Sequence, residues 1–176
     1  PDANPDPKLA AHDIRETFGR MAMNDYETAA LVAGGHTFGK SHGAASESYK
    51  GPDPEASRLQ DQSTGWNSGY KSGKGVDAIS SGIEGAWTQN PIKWDMGYLD
   101  CLYGHDWELT KSPAGAHQWT PKKNGQKIKM VPDAHKKDVL HPPMMQTTDI
   151  SMKVDPSYGP ITKHFHQNPE EFHDAF

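Results

Sequence analysis

The sequence predicts a mainly α-helical fold with long loops and one small β-hairpin. Apolar residues recur at helical spacing behind capping residues, beginning with Leu9, Ile14 and Phe18 after Asp6-Pro7. From about residue 44 to 76 the chain is rich in Gly, Ser, Asp and Lys and shows no periodicity, which is typical of a long loop. Asn124-Gly125 lies between two short extended runs and is a strong hairpin signal.

Capping residues mark where the other helices begin. Asn24-Asp25-Tyr26-Glu27 can form a variant capping box for a helix that ends near His36. Ile92–Leu102 is expected to be a helix, with Trp94, Met96, Tyr98 and Leu99 among its apolar residues. Asp155-Pro156 and Asn168-Pro169 each place a capping residue before a proline, as at the first position of a helix.

The β element is expected to be short. Trp107–Thr110, Trp119–Pro121 and Ile128–Val131 have extended character. The turn Lys122–Lys127 separates the last two of these runs, so the sequence predicts that they pair as a hairpin.

Composition limits the classes of function. Hydrophobic residues make up 34% of the 176 residues, which include 17 glycines and 14 prolines, so the chain is loop-rich. The mean hydropathy is −0.85 and the pI is about 6.0. A net charge of −5 argues against nucleic acid or an anionic membrane as a partner. No apolar run approaches the length of a membrane span.

The single cysteine and the two chain ends give further expectations. Cys101 cannot form an internal disulfide, which allows a reducing compartment. We therefore expect a cytoplasmic protein, with secretion as the open alternative. Pro1–Pro7 has the composition of a linker, and the last helix has hardly begun at Phe176. The sequence thus predicts a piece of a longer polypeptide, incomplete at both ends.

The most informative segment surrounds His36. An apolar run ends in Gly34-Gly35, and His36 follows at once. The glycines allow a large flat group to approach the backbone, and the turn Gly39–Gly43 offers a cation, a hydroxyl and N–H groups for anions. A histidine in this setting suits haem iron and its propionates. The alternative is a satisfied histidine at a helix C-terminus, which is the commoner role of a lone histidine.

Four segments resemble the catalase-peroxidases, a group within the bacterial-type (class I) haem peroxidases. They are Met21–Gly43, Ser80–Thr88, Tyr103–Ala116 and Met144–Asp149, in family order and at family-like spacing. The resemblance covers nearly the whole chain. It implies that residues 1–176 form the proximal half of a helical haem-peroxidase domain, with about 44–76 as a long insertion after the proximal histidine.

The resemblance also implies roles for individual residues. His36 matches the axial ligand of the haem b iron, Asp149 the carboxylate behind its ring, and Trp87 a tryptophan whose indole is directed at that carboxylate and can relay an electron. Met21 matches a methionine of a cross-linked adduct associated with the catalase reaction. The positions expected to contact haem are Leu31, Val32, Gly35, His36, Phe38, Gly39, Lys40, Ser41, His42, Ser81 and Trp87.

Each of these residues also has an ordinary structural interpretation. Asp149 could cap a helix or a turn, Trp87 could be a core aromatic, and Met21 could fill a helix interface. Ser81 could cap the segment that follows it, which is compatible with a position near the haem edge. Gln146 departs from the family, which usually has an aliphatic residue there, and makes that wall more polar.

The implied function is breakdown of hydrogen peroxide, both as a catalase and as a peroxidase that uses small organic electron donors. Implied partners are the rest of the same haem domain and, in the full-length protein, a second copy in a homodimer. The family's distal Arg-Trp-His set has no counterpart in this chain. A non-catalytic haem-binding fragment is therefore one alternative. A histidine-rich divalent-metal binder is a remote one, because His164-x-His166 and His36-x₅-His42 fit no zinc signature.

Overall fold

The computed structural model describes residues 4–122 and 128–176, and these form helices joined by long loops with two short β ribbons. The mainly α fold class is confirmed. Within the described residues no helix has both the length and the apolar character needed to span a membrane. The elements are α1 (Pro7–Gly19), α2 (Asp25–His36), α3 (Gly97–Gly104), β1 (Trp107–Lys111), β2 (His117–Pro121), β3 (Val131–Pro132), β4 (Leu140–His141), α4 (Thr147–Val154), α5 (Tyr158–Gln167) and α6 (Pro169–Ala175).

The first two helices begin where the capping residues predict. The Asp6 carboxylate accepts a hydrogen bond from the Lys8 N–H at 2.8 Å. Asn24 and Glu27 form a reciprocal capping box, in which each side chain accepts from the other's backbone N–H at 2.9 Å. These bonds satisfy N–H groups that have no partner within the helix.

Two predicted helix starts were wrong, and both shifts have a side-chain cause. α3 begins at Gly97 rather than at Ile92, because the Asp95 carboxylate accepts the Gly97 N–H at 2.8 Å and holds the preceding residues in a turn. α5 begins at Tyr158, because the Asp155 carboxylate accepts the N–H groups of Ser157 and Tyr158 at 2.9 and 3.0 Å. α6 begins at Pro169 as expected.

The strands pair differently from the prediction. β2 pairs antiparallel with β1, and Leu109 lies opposite Trp119. On its other edge Trp119 exchanges two backbone hydrogen bonds with Met145, at 2.7 and 3.0 Å. Both edges of β2 are therefore occupied at this residue, and β3 pairs with β4 instead. The turn was expected at Lys122–Lys127, of which residues 123–127 lie outside the described residues.

The long loop contains short helical turns and an isolated β-bridge between Lys50 and Ser68. Three 3₁₀ turns, Glu47–Tyr49, Leu59–Asp61 and Gly75–Asp77, interrupt it, in agreement with the predicted absence of long regular elements. The loop returns to its origin, where the Ser80 N–H donates to the His42 carbonyl at 2.9 Å. The chain thus leaves α2 and re-enters the domain at adjacent points.

The core lies between α1, α2, α3, α4 and α5. α4 packs on both α1 and α5, and α5 also packs on α2. Burial of a large apolar side chain contributes roughly 1.5–3 kcal/mol, so these contacts are the main source of cohesion. The largest fully buried apolar and aromatic side chains are Tyr98, Leu99, Leu102, Met145, Met152, Tyr158, Phe165 and Phe172.

Arg15 connects three elements at one corner of this core. Its Nε donates to Asp25 Oδ2 at 3.0 Å, and its two terminal nitrogens donate to the Asp155 carboxylate. The guanidinium carbon also lies 4.4 Å from the centre of the Tyr158 ring. The hydrogen bond from Arg15 is the main reason that the pKa of Asp155 is lowered, while burial acts in the opposite direction.

We expect Asp155→Asn to destabilise the fold at pH 7 by about 1.5 kcal/mol, the usual contribution of a hydrogen bond to a charged group. The folded-state pKa of Asp155 is lowered, so its stabilisation is fully present above its ordinary value and is lost as the pH falls through the folded-state value. The difference in unfolding free energy between wild type and variant should therefore shrink below about pH 4. Urea titrations at several pH values measure this difference, and Glu16→Gln, at an exposed position, is the control. A difference in unfolding free energy that stays constant down to pH 2 would contradict the prediction.

Gly43 allows two backbones to approach closely. A Cβ at this position would lie 2.6 Å from the Gly82 carbonyl oxygen and 2.7 Å from the Ile83 carbonyl oxygen. We expect Gly43→Ala to lower the free energy of unfolding by about 1–3 kcal/mol, because the backbone must shift. Gly19→Ala is the matched control, since a Cβ there meets no atom within 4 Å. Equal unfolding midpoints for the two variants would show that the approach is not tight.

Candidate active site

Four elements converge on one buried carboxylate. His36 is the last residue of α2, Tyr98 lies in the first turn of α3, and Asp149 is the third residue of α4. Trp87 comes from the segment that follows the long loop. The structure thus brings together the three predicted residues His36, Trp87 and Asp149, and adds Tyr98.

Asp149 is fully buried and accepts hydrogen bonds on both oxygens. Oδ1 accepts from His36 Nδ1 at 2.7 Å and from the Tyr98 hydroxyl at 2.9 Å. Oδ2 accepts from Trp87 Nε1 at 2.7 Å and from the Gln146 backbone N–H at 2.7 Å. A buried carboxylate is costly unless its lone pairs are paired, and these donors supply the pairing. The bond from Gln146 is a helix-capping bond, so the capping interpretation of Asp149 holds together with its contact to His36.

The geometry around His36 defines which ring nitrogen is available. Because an ionised carboxylate only accepts, Nδ1 carries the proton in the bond to Asp149, and Nε2 is directed away from that carboxylate. The ring stacks on Trp87 with centroids 4.1 Å apart and an interplanar angle of 15°. Burial lowers the pKa of His36, but the charge and hydrogen bond of Asp149 outweigh it, and the net shift is upward. The imidazole is therefore held rigidly and made more basic.

Tyr98 is the site residue that sequence reasoning missed. It was expected only as an apolar member of a helix, and no local motif distinguishes it. Burial raises the pKa of the Tyr98 phenol well above its ordinary value, and the negative charge of Asp149 adds to this. The hydroxyl therefore stays protonated and acts as a donor to Asp149.

The exposed side of α2 next to His36 is apolar and open. Leu31 and Phe38 are 43% and 55% exposed, and Val32 is partly buried. A Cβ added to Gly35 would meet no atom within 4 Å. Leu31 and Gly35 are four residues apart and so lie along one side of α2, and Phe38 follows two residues after the helix ends. The described residues therefore leave room for a flat apolar group beside the imidazole.

The turn after α2 is attached to the segment that leads to Trp87. Ser41 and Gly85 exchange backbone hydrogen bonds at 2.9 and 3.0 Å, and the Gly39 N–H donates to the Pro91 carbonyl at 2.7 Å. The Lys40 ammonium donates to the Glu84 carboxylate. The charge that the sequence assigned to an anionic ligand is thus already paired within the chain.

Three other residues singled out from the sequence lie outside the Asp149 cluster or have a different contact. Met21 lies in the turn after α1 and is 56% exposed. The Ser81 hydroxyl accepts the Ile83 N–H at 3.1 Å, which is the capping interpretation. His42 lies in the turn after α2, and its Nε2 is 2.9 Å from the Val76 carbonyl oxygen.

The fold and site define a mainly helical domain in which a buried aspartate supports a partly exposed histidine stacked on tryptophan. The peroxidase family matches residues 2–168, and the chain belongs to that family. The catalase-peroxidase of Koribacter versatilis (strain Ellin345) is 62% identical over 177 residues. Those of Caulobacter sp. (strain K31) and Gloeobacter violaceus are 60% and 58% identical. The resemblance seen in the sequence is confirmed.

These relatives are longer proteins. The alignments cover all of this chain but only 23% of the Koribacter protein and 24% of the other two. The chain thus spans about a quarter of the length of the curated relatives it matches.

We expect Tyr98→Phe to destabilise the domain by about 1 kcal/mol. The phenyl ring fills the same space, so the change removes only one of the donors to the buried Asp149. Tyr49→Phe is the control, because that ring is 45% exposed. The measurement is the free energy of unfolding of wild type and of both variants, from urea titration. A Tyr98→Phe variant as stable as wild type would mean that its hydroxyl does not help to stabilise the carboxylate.

Proposed function

We propose that this chain supplies the proximal side of a haem site in a protein that breaks down hydrogen peroxide as a catalase and as a peroxidase with small organic electron donors. The observation that carries the proposal is the 2.7 Å hydrogen bond from His36 Nδ1–H to Asp149, which keeps the proton on Nδ1 and leaves Nε2 to coordinate iron. Family membership supports the reaction class.

The described residues fit a haem group on two counts. The side of α2 at Leu31 and Gly35, with Phe38 just after the helix, is apolar and open, as a porphyrin face requires. The His36 imidazole beside it is fixed by its stack on Trp87 and by its charge-assisted hydrogen bond to Asp149. Val32 and His36 are four residues apart and share a side of the same helix.

The haem iron, when bound, supplies the redox chemistry that cleaves the peroxide O–O bond. The chain's own residues prepare its ligand. Asp149 holds the Nδ1 proton of His36 and so increases the electron density at Nε2. The indole N–H of Trp87 donates a hydrogen bond to the same carboxylate, and the indole stacks on the imidazole, which fixes the ring plane. Both residues therefore orient His36, Asp149 also makes it more basic, and Trp87 is in position to pass an electron.

The remaining roles rest on the resemblance and on the sequence. We propose haem b as the cofactor, contacts from Gly39, Ser41 and Ser81 at its edge, and Met21 in an adduct completed by residues beyond this chain. A homodimer of the full-length protein and a cytoplasmic location are further parts of the proposal. The rest of the haem domain would supply the groups that assist peroxide cleavage.

The divalent-metal binder loses support as an alternative, and the non-catalytic haem-binding segment is retained. Among residues 4–122 and 128–176 no group of three or more His, Cys, Asp or Glu side chains is arranged to hold a metal ion. His164 and His166 instead lie 2.8 and 2.9 Å from the carboxylates of Glu171 and Asp100. A haem-binding segment without catalysis of its own is the second candidate, favoured by the missing distal set. Peroxide turnover with O₂ release separates these two functions.

We expect His36→Leu, made in the full-length protein, to abolish the spectrum of histidine-ligated haem iron, because leucine offers no ligand atom. The measurement is the absorption and resonance Raman spectrum of the ferric and ferrous protein after haem addition. His12→Leu, the same change on the exposed side of α1, is the control and should leave the spectra unchanged. Identical spectra for the His36 variant and wild type would rule out the proposed ligand.

A further inference from the structure

We propose that Glu84 is a positioning residue for the His36–Trp87 pair, which extends the proposed haem site beyond the Asp149 cluster. It holds the chain that follows His36 against the chain that precedes Trp87. Sequence reasoning assigned no role to this carboxylate. It lies within the segment Ser80–Thr88, in which only Ser81 and Trp87 were given roles.

Both oxygens of the Glu84 carboxylate contact the turn after α2. Oε1 accepts from the Lys40 ammonium, and Oε2 accepts from the Gly43 backbone N–H at 2.9 Å. His42 Nδ1 lies 3.0 Å from Oε2. The side chains of Lys40 and Glu84 are 25% and 24% exposed, so solvent screens this pair less than a fully exposed one.

The backbone of Glu84 is held just as firmly by a side chain of β2. The Glu84 N–H donates to the Gln118 carbonyl Oε1 at 3.0 Å, and the Gln118 amide donates to the Glu84 carbonyl at 3.0 Å. Gln118 is only 8% exposed. Because the backbone is anchored on one side, the carboxylate acts on the turn from a fixed point.

The His36–Trp87 pair lies at one end of the two segments that Glu84 joins. Residues 36–43 and 80–87 lie antiparallel, with the Ser41–Gly85 bridge in the middle. The stack of His36 on Trp87 closes one end, and Glu84 with Gly43 lies towards the other. Without Glu84 the segments could slide, and Trp87 would then move relative to the imidazole that it orients. The bond from His36 to Asp149 would weaken in turn.

The test compares Glu84→Ala and Glu84→Gln with wild type in the full-length protein. Glutamine keeps an acceptor for one of the two donors but loses the charge, whereas alanine loses both contacts. Glu108→Gln is the matched control, since Glu108 is an exposed carboxylate on β1 that lines the same surface cavity as Glu84. Two readouts are needed: amide hydrogen exchange at Ser41, Gly43 and Gly85, and the iron–histidine stretching frequency of the ferrous haem-loaded protein.

For Glu84→Ala we expect exchange of the Gly43 amide to rise about tenfold, as for loss of a charge-assisted hydrogen bond. The iron–histidine frequency should fall, because the imidazole becomes a weaker electron donor as its bond to Asp149 weakens. Glu84→Gln should show a smaller change of the same sign in both readouts. Glu108→Gln should match wild type.

Two results would overturn the proposal. Faster exchange spread evenly over α1, α4 and α5 would show that Glu84 serves global stability only. Faster exchange confined to the turn, with an unchanged iron–histidine frequency, would show that the contact does not reach His36. If Glu84→Ala does not fold, Glu84→Gln decides alone, and an unchanged frequency in that variant counts against the proposal.

Discussion

The buried carboxylate of Asp149 is the constraint on which the rest of this structure depends. It is excluded from water, and its oxygens are paired with donors from α2, α3, the segment at Trp87 and the start of α4. If one donor were displaced, the buried charge would lose a hydrogen bond, at a cost of about 1 kcal/mol. The elements that carry the donors are therefore held in one arrangement by electrostatics as well as by apolar packing.

β2 fixes the positions of two segments of that arrangement relative to each other. Consecutive residues of this strand engage two different parts of the site: Gln118 pairs with Glu84, and Trp119 pairs with Met145. Glu84 lies three residues before Trp87, and Met145 lies four residues before Asp149. A short strand thereby sets the relative positions of the indole and the carboxylate, although it contributes no side chain to the Asp149 cluster.

The sequence predicted those parts of the fold that depend on bonds between residues close together in the chain. The capping residues Asp6 and Asn24 identified two helix starts, because their bonds span only two or three residues. α4 was not predicted, because its eight residues gain their stability from packing between α1 and α5. The partner of β2 was predicted wrongly for a related reason. A turn signal can indicate a hairpin, but the bonds between Trp119 and Met145 join distant parts of the chain.

The residues of the site also fall into two groups, those that the sequence indicated and those that only the structure identifies. His36, Trp87 and Asp149 were found through a resemblance, and the structure places them in contact, while their role toward a cofactor stays a prediction. Tyr98 and Glu84 were missed, because tyrosine on a helix and glutamate in a loop are common, and only the tertiary contacts distinguish them. The charge of Lys40 was expected to serve a ligand, yet it is paired with Glu84.

The bond from the Gln146 N–H to Asp149 has a consequence for how such a protein can change over time. One carboxylate both starts α4 and sets the basicity of the histidine. A substitution that retuned the histidine by altering Asp149 would also remove the first capping bond of a central helix. Chemical tuning and folding therefore cannot be selected separately at this position. Variation in reactivity should arise instead at neighbours such as Tyr98, where one donor can be lost while the helix start remains intact.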